Sequence, residues 1–383
     1  MFKNYLKTAF RTLRKNVGFT VINILGLALG LATCLMIVLY VADELSYDRF
    51  NEKASRTYRV NEDLKFGNNN VLYAVAMPPL AQALKTDLPE VDEATRLKAA
   101  GGFHVKKGNE SILEYGTVFA DPSVFNVFTL PMINGNPATA LKEPNTVVIT
   151  ETTAKKYFNS TNVVGKTLAI DNNQLLKITG VIKDLPKQSH FHFDFFMSMA
   201  SWPDSRSPEW LRSDYNTYVV LKPGTDYKFF EKKLTALLKK YSESQMQTAL
   251  HVNIADFEKS GSYFRLNLTP VTDIHLHSNR TGELGSNSSA QYVYIFSAIA
   301  IFILLIAGIN FMNLSTARSA SRAREVGVRK VLGSPRKYLI AQFLTESVLV
   351  TLAAAVIAFL LCYFYCRCLI RYRAKSWLLV RKP

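Results

Sequence analysis

Cysteine is scarce in this 383-residue chain and is absent from its long middle part, residues 43–291. The four cysteines lie near the two ends of the chain: Cys34, Cys362, Cys366 and Cys368. Small secreted domains often need disulfides, whereas a segment of this size can bury enough surface to fold without them. The absence therefore excludes a disulfide scaffold and predicts a domain that is held together by its own core.

Charge is missing from three apolar runs, residues 17–42, 292–314 and 348–366, which contain no Lys, Arg, Asp or Glu. Each run is close to the roughly 20 residues that an α-helix needs to cross a bilayer. We therefore predict three transmembrane helices. The first run is too long for the apolar part of a cleaved signal peptide, which spans about 7–15 residues, so we interpret it as a retained span.

Basic residues cluster beside these runs and set the orientation. Residues 1–16 carry five Lys or Arg and no acid, and residues 318–337 carry seven Lys or Arg and one acid, Glu325. The positive-inside rule places both segments in the cytoplasm and residues 43–291 outside it. Most of the net charge of +16 then comes from basic segments that orient the transmembrane helices. Because we find no basic face with interleaved aromatic residues, we do not predict nucleic acid as a partner.

The first 16 residues have Phe2, Leu6, Phe10 and Leu13 near helical spacing, with basic residues between them. This pattern fits an amphipathic helix on the inner membrane surface. A simple basic flank that sets topology would explain it equally well. Within the first span, Gly26 and Gly30 form a GxxxG pair that would let another helix pack closely.

Helix and strand patterns alternate through residues 43–291. Proline opens a short helix within 76–91, and apolar residues at helical spacing predict a helix over 228–241. Strand patterns and one further helix pattern occupy the following ranges: strands at 147–149, 176–185 and 216–224, and a helix at 151–158. This mixture predicts an inserted α+β extracytoplasmic domain of two subdomains.

Few residues suggest a catalytic, nucleotide-binding or metal site. Gly165, Lys166 and Thr167 match the end of a phosphate-binding loop, but residue 160 is Ser where the motif requires Gly. Two His-x-His pairs, 190–192 and 275–277, would each place both imidazoles on one face of a strand, which suits zinc only if the pairs meet. The alternative is the polar face of half-exposed strands. We predict no metal site, no cofactor and no catalytic residues.

The segment between the second and third runs has an ordered pattern that headgroup contact does not require. Residues 324–333 read REVGVRKVLG, with NLS at 313–315 before them and QFL at 342–344 after them. These motifs resemble the MacB/FtsX-like ABC transporter permeases. Pieces of the external region resemble the MacB-like periplasmic core domain: FADPSVFNVFTLPMINGNPATAL, VVITETTAKKYF, VGKTLAI and ITGVIKDLP. The resemblance extends over about residues 1–360.

The resemblance implies that residues 315–347 form the coupling loop or helix of an FtsX-like domain, which docks on a separate ABC ATPase subunit. The implied coupling residues are Arg322, Arg324, Glu325, Gly327, Arg329, Lys330 and Gly333. The charged residues would contact the ATPase, whereas the two glycines would permit close packing and end the helix. The implied mechanism is mechanotransmission, in which ATP hydrolysis in the cytoplasm moves the periplasmic domain.

The same resemblance implies a multi-pass protein of the bacterial inner membrane that exports peptides, lipoproteins or antibiotic-like substrates. It also implies a second permease copy, as a homodimer or heterodimer, and a periplasmic adaptor. A membrane-anchored sensory protein with a periplasmic ligand-binding domain is an alternative. Such receptors continue into a cytoplasmic signalling domain, whereas this chain soon returns to the membrane. A membrane-anchored adhesion protein would have no use for the patterned segment.

The tail, residues 367–383, has six Lys or Arg and no acid, although three spans would place it outside the cytoplasm. This arrangement runs against the positive-inside rule. The family pattern also fades near residue 361, and a fourth span is missing. We therefore expect a truncation or frameshift there. The alternative is a natural variant whose third helix is only partly inserted.

Overall fold

The computed structural model describes residues 10–380 except 12, 15, 16, 172, 252, 322 and 334. It describes no side chain for residues 250, 318–321, 324, 325, 329 and 369–380. The chain forms two compact units, one of residues 46–290 and one of the segments on either side.

The helices of the described chain are α1 (Val17–Glu44), α2 (Leu80–Asp87), α3 (Val124–Val127), α4 (Glu151–Phe158), α5 (Tyr227–Leu250), α6 (Ile254–Lys259), α7 (Val271–His277), α8 (Ala290–Ser321), α9 (Ala323–Val331) and α10 (Arg336–Val380). The strands are β1 (Thr57–Phe66), β2 (Asn69–Tyr73), β3 (Val91–Ala99), β4 (Phe103–Lys107), β5 (Glu110–Glu114), β6 (Thr117–Ala120), β7 (Met132–Gly135), β8 (Thr146–Thr150), β9 (Thr167–Ile170), β10 (Gln174–Ile182), β11 (Phe195–Ser198), β12 (Asn216–Leu221) and β13 (Tyr263–Pro270).

All of these strands belong to one mixed sheet. Hydrogen-bonded neighbours follow the order β13-β1-β12-β3-β6-β11-β8-β10-β9-β4-β5, and β2 and β7 pair with β1 and β10. Two neighbouring pairs are parallel, β6 with β11 and β8 with β10. The sheet is thus assembled from strands that lie far apart in the sequence.

Helices cover two separate regions of this sheet. At the β13 end, α2 and α5 bury Leu80, Leu84, Phe230 and Leu234 against β1, β3, β12 and β13. Toward the β5 end, α4 packs on β8 and β10, where Ala154 is fully buried. Both regions lie on the same sheet within one compact unit, and the division into two subdomains stays a prediction.

A third core fills the sheet surface on which Tyr218 of β12 and Leu97 of β3 lie, and α3 and α7 contribute Val124, Val127, Val271 and Ile274 to it. Aromatic edges pack there in T-shaped pairs, such as Phe128 against Tyr218, with ring centroids 4.9 Å apart. This core also contains the buried polar side chains described below.

Among the described residues of the unit formed by the chain ends, three helices are long and apolar enough to span a membrane, at Val17–Glu44, Ala290–Ala317 and Arg336–Cys368. They pack through small side chains, among them Ala28, Ala32, Ala307, Ala354 and Ala358. Together with the mixed α/β domain, these helices confirm the predicted fold class.

The third helix differs from its predicted range, because it begins at Arg336 rather than at residue 348 and runs through the predicted basic tail to Val380. Hydropathy detects only the apolar part of a helix, whereas the backbone continues as a helix through polar residues such as Gln342 and Glu346. Most of the predicted amphipathic segment, residues 1–16, lies outside the described residues.

Candidate functional site

Apart from Arg322, which lies outside the described residues, the predicted coupling residues lie on and just after the short helix α9. Two backbone hydrogen bonds close its last turn, from Leu332 N–H to the Val328 carbonyl at 3.0 Å and from Gly333 N–H to the Lys330 carbonyl at 3.1 Å. Gly333 has a φ of +85°, in the left-handed region where glycine is the usual residue after a helix. The segment is therefore a single defined helix with a glycine stop.

Apolar side chains of this segment are exposed. Val328, Val331 and Leu332 expose 57%, 89% and 78% of their surface, and Lys330 beside them is exposed as well. Gly327 is exposed, and a Cβ built on it would meet no described atom within 4 Å. Of the other predicted coupling residues, Arg322 lies outside the described residues, as do the side chains of Arg324, Glu325 and Arg329.

The two glycines of the first span both approach α8. A Cβ built on Gly30 would lie 2.7 Å from the Ala307 Cβ, and one built on Gly26 would lie 3.4 Å from Asn310 Nδ2. Contacts this close are what a GxxxG pair permits between membrane helices.

A buried polar cluster anchors residues 46–51, hereafter the first connector, which follow α1 in the chain. Asp48 is fully buried, and its N–H donates to the Gln188 carbonyl at 2.7 Å. Its Oδ1 lies 2.8 Å from Nδ1 of His190, and Nε2 of that ring lies 2.7 Å from the Tyr218 hydroxyl. A neutral His190 donates to the carboxylate and accepts from the hydroxyl, which satisfies both ring nitrogens.

A buried ion pair anchors residues 278–289, hereafter the second connector, which precede α8. Arg59 of β1 is fully buried and holds both carboxylate oxygens of Glu283, with Nη2 at 3.0 Å from Oε1. Nη2 also donates to Ser278 Oγ at 2.7 Å. Burial opposes ionisation of Glu283, but the hydrogen bonds and charge of Arg59 outweigh it and lower the pKa of this carboxyl.

The two His-x-His pairs do not have the geometry that a strand would give them. His275 and His277 end helix α7, where residues two apart point in different directions, and His190 and His192 lie in a segment outside the strands. His190 and His275 are buried, whereas His192 and His277 are exposed. The strand interpretation was wrong, and the described residues contain no group of three His, Cys, Asp or Glu that could hold a metal.

Both buried histidines contact the connectors instead. The His275 ring stacks on Tyr47 with centroids 3.3 Å apart, and the His275 carbonyl accepts from Ser288 N–H at 2.8 Å. At His190, the carbonyl oxygen packs so closely on Gly285 that a Cβ there would lie 2.6 Å from it. Sequence patterns could mark the histidines as unusual, but they could not identify partners more than a hundred residues away.

One titratable residue escaped sequence reasoning altogether. Glu62 of β1 is almost fully buried, and Ser213 Oγ donates a short hydrogen bond to it. Burial raises its pKa to about 7 against the lowering effect of that hydrogen bond. Nothing in a single strand sequence predicts this shift, because the hydrogen-bond partner Ser213 lies 151 residues further along the chain.

Two family profiles match the chain. The MacB-like periplasmic core domain matches residues 20–237, and the FtsX-like permease C-terminal region matches residues 297–379. The matches cover most of the extracytoplasmic unit and all of α9.

Curated relatives match over almost the whole chain. The macrolide export ATP-binding/permease protein MacB of Salmonella typhi is 25% identical over 380 residues, which cover 95% of this chain and 52% of the relative. The MacB protein of Escherichia coli K12 is 24% identical over 377 residues, which cover 92% and 51%. The chain thus spans about half the length of the curated relatives that it matches.

Among solved structures, a domain assigned to a permease of Porphyromonas gingivalis matches with a TM-score of 0.50 and 22% identity. The match covers 64% of this chain and 98% of that domain. Because the identity is low, the match supports the fold alone. Since the core-domain profile spans more than half of the residues and the permease profile follows it in order, this chain belongs to the family of MacB/FtsX-like ABC transporter permeases.

Proposed function

We propose that this chain is the permease subunit of an ABC transporter and that the segment 323–333 docks on a separate ATPase subunit. The observation that carries the proposal is this segment, in which the exposed apolar side chains of Val328, Val331 and Leu332 lie within a basic sequence. Exposed apolar side chains that cluster next to charged ones are typical of protein interfaces. ATP hydrolysis by the partner would then move the periplasmic domain through α1 and α8.

The substrates that we propose are peptides, lipoproteins or antibiotic-like molecules, exported across the inner membrane. The curated relatives are named for macrolide export and for an ATP-binding part joined to a permease. A second permease copy and a periplasmic adaptor complete the proposed assembly. In this assembly the chain supplies motion and contacts, and the ATPase subunit supplies the chemistry.

The test is charge reversal of Arg324 and Arg329 to Glu in the tagged full chain, purified from membranes of its native host. We expect the variant to insert normally but to lose the co-purifying ABC ATPase, identified by mass spectrometry of its Walker A and Walker B peptides. The matched control reverses Lys228 and Lys232, which are exposed on α5 of the other unit, and should retain the ATPase. Unchanged co-purification of the Arg324 and Arg329 variant would refute the docking assignment.

A further inference from the structure

We propose that His190 and His275 are positioning residues that clamp the two connectors to each other and to the sheet, so that the connectors move as one body. The proposal goes beyond ATPase docking, because it concerns how the extracytoplasmic domain holds the two segments that follow α1 and precede α8 in the chain. Its geometry does not depend on the proposed function, although that function would give the clamp its purpose.

The two histidines contact the connectors in the same way. The side chain of each contacts the first connector: the His190 ring bonds Asp48, and the His275 ring stacks on Tyr47. The backbone carbonyl of each contacts the second connector: the His190 oxygen packs on Gly285, and the His275 oxygen accepts from Ser288 N–H. Each histidine therefore contacts both connectors at once.

A line of side chains joins the same two connectors through the sheet. It runs from Asp48 through His190 to the Tyr218 hydroxyl, as described above. Tyr218 of β12 lies directly opposite Arg59 of β1 in the strand register. Burial raises the pKa of the Tyr218 hydroxyl, and the positive charge of the guanidinium opposes part of that rise. Arg59 then holds Glu283.

These five side chains, hereafter the relay, are almost entirely withdrawn from water. Asp48, Arg59 and Tyr218 are fully buried, and His190 is 4% exposed. In such surroundings a polar group that loses its partner has no water to replace it. A break at one point of the relay should therefore loosen its neighbours, and the effect should reach both ends.

Additional contacts hold the second connector to the same strands. Asn216 of β12 donates through Nδ2 to the Gly282 carbonyl at 2.9 Å, and the Ala74 N–H donates to the Thr281 carbonyl at 2.8 Å. The second connector is therefore fixed beside β2 and β12, while the first reaches β12 through His190. Tyr218 is the best residue to substitute, because it lies between Asp48 and Glu283, the two ends of the relay.

The ordinary alternative is a set of independent core hydrogen bonds, each of which stabilises only its own surroundings. The two hypotheses differ in how far the effect of a substitution should extend. Independent bonds predict that a substitution near one connector leaves the other unchanged, because distant sites without shared partners usually act additively. A clamp predicts a response in the connector that was not touched.

The experiment is amide hydrogen exchange of the full chain in lipid nanodiscs, without an ATPase, comparing wild type with Tyr218→Phe. We expect peptides from both connectors to exchange at least about 10-fold faster, while α2 keeps its wild-type rate. The control Tyr263→Phe removes an exposed hydroxyl that bonds Asn70 at 3.4 Å and should change neither connector. An unchanged second connector in Tyr218→Phe would overturn the proposal.

A second variant, Tyr47→Leu, keeps the proposal testable if Tyr218→Phe unfolds the domain. Tyr47 is only half-buried, so its replacement by Leu removes the stack on His275 with little loss of core volume. We expect faster exchange around residue 288, in the second connector, although the substitution lies in the first. Exchange that rises only in residues 46–51 would overturn the clamp at His275. Because no ATPase is present, failure here is distinct from failure of the docking assignment.

Discussion

Gly30 of α1 lies so close to Ala307 of α8 that a Cβ on the glycine would be 2.7 Å from the alanine Cβ. Real side chains do not tolerate this separation, so one helix must move if a methyl group is added. The missing side chain thus allows the two apolar helices to meet. The hydrophobic effect does not favour helix contact within lipid, so close van der Waals packing stabilises the pair instead.

Gly30→Ala should therefore destabilise the helical unit by about 1–3 kcal/mol, because overpacking forces the helices apart. The measurement is equilibrium unfolding of the full chain in mixed micelles. Gly308→Ala is the matched control, since it adds the same methyl group to α8 where no described atom lies within 4 Å. Equal losses in both variants would contradict a specific contact at Gly30.

Replacement of Glu283 by Gln should destabilise the extracytoplasmic domain by about 3–5 kcal/mol, because it leaves the fully buried Arg59 without its counter-charge. Thermal unfolding of the full chain, followed by tryptophan fluorescence, would measure the loss. Asp256→Asn is the control, because its ion pair with Lys259 is largely exposed and should contribute at most about 1 kcal/mol. A similarly small loss in Glu283→Gln would show that solvent reaches Arg59.

The stability of the domain should fall as the pH rises from about 4.5 to about 7 because of Glu62. Its pKa is about 7 in the folded chain and near the ordinary 4.5 when unfolded. In this interval the folded state holds a proton that the unfolded state has released, so folding is favoured at the acidic end. The contribution is fully present below pH 4.5 and is lost by pH 8, a change of roughly 3 kcal/mol.

Glu62→Gln isolates this effect, since the amide can still accept from Ser213 but cannot ionise. The variant should gain stability over wild type at pH 8 and match it near pH 5. Glu110→Gln, at an exposed position of β5, serves as the control and should leave the pH profile unchanged. Parallel profiles for wild type and Glu62→Gln would mean that Glu62 is ionised throughout.

Gly327→Ala should leave the chain folded but weaken ATPase binding about 10-fold or more. No described atom lies near a Cβ at this position, and alanine favours a helix over glycine by about 1 kcal/mol. A loss of binding would therefore come from the partner's approach to this surface. Titration of the purified ATPase against the chain in nanodiscs gives the affinity, and an unchanged value would place Gly327 outside the interface.

The sequence was most informative where structure is set by nearby residues. Helix α4 was predicted as residues 151–158, and it spans Glu151–Phe158. Neighbouring residues determine both of its ends, because the Thr150 hydroxyl caps the first turn and Asn159 ends the helix with a φ of 52°. The apolar spans were readable for the same reason, since hydropathy is a property of each run.

The sequence was least informative where partners are distant. His190 bonds Asp48, which lies 142 residues away, and Arg59 pairs with Glu283 across 224 residues. Such contacts depend on the order of strands in the sheet, which no local pattern specifies. The histidine pairs were correctly noticed and wrongly assigned to strands, because spacing alone does not distinguish a strand from the end of a helix. The burial of Glu62 depends on the same long-range assembly.

The most direct test of the central proposal is site-specific photo-crosslinking from Val331, which exposes 89% of its surface on α9. A photoreactive amino acid at Val331 should give a crosslink to the ABC ATPase subunit in native membranes. The same amino acid at Phe229, which is 59% exposed on α5, should give none. Crosslinks from Val331 alone would support docking at this segment, and the absence of an ATPase adduct, or equal adducts from both positions, would contradict it.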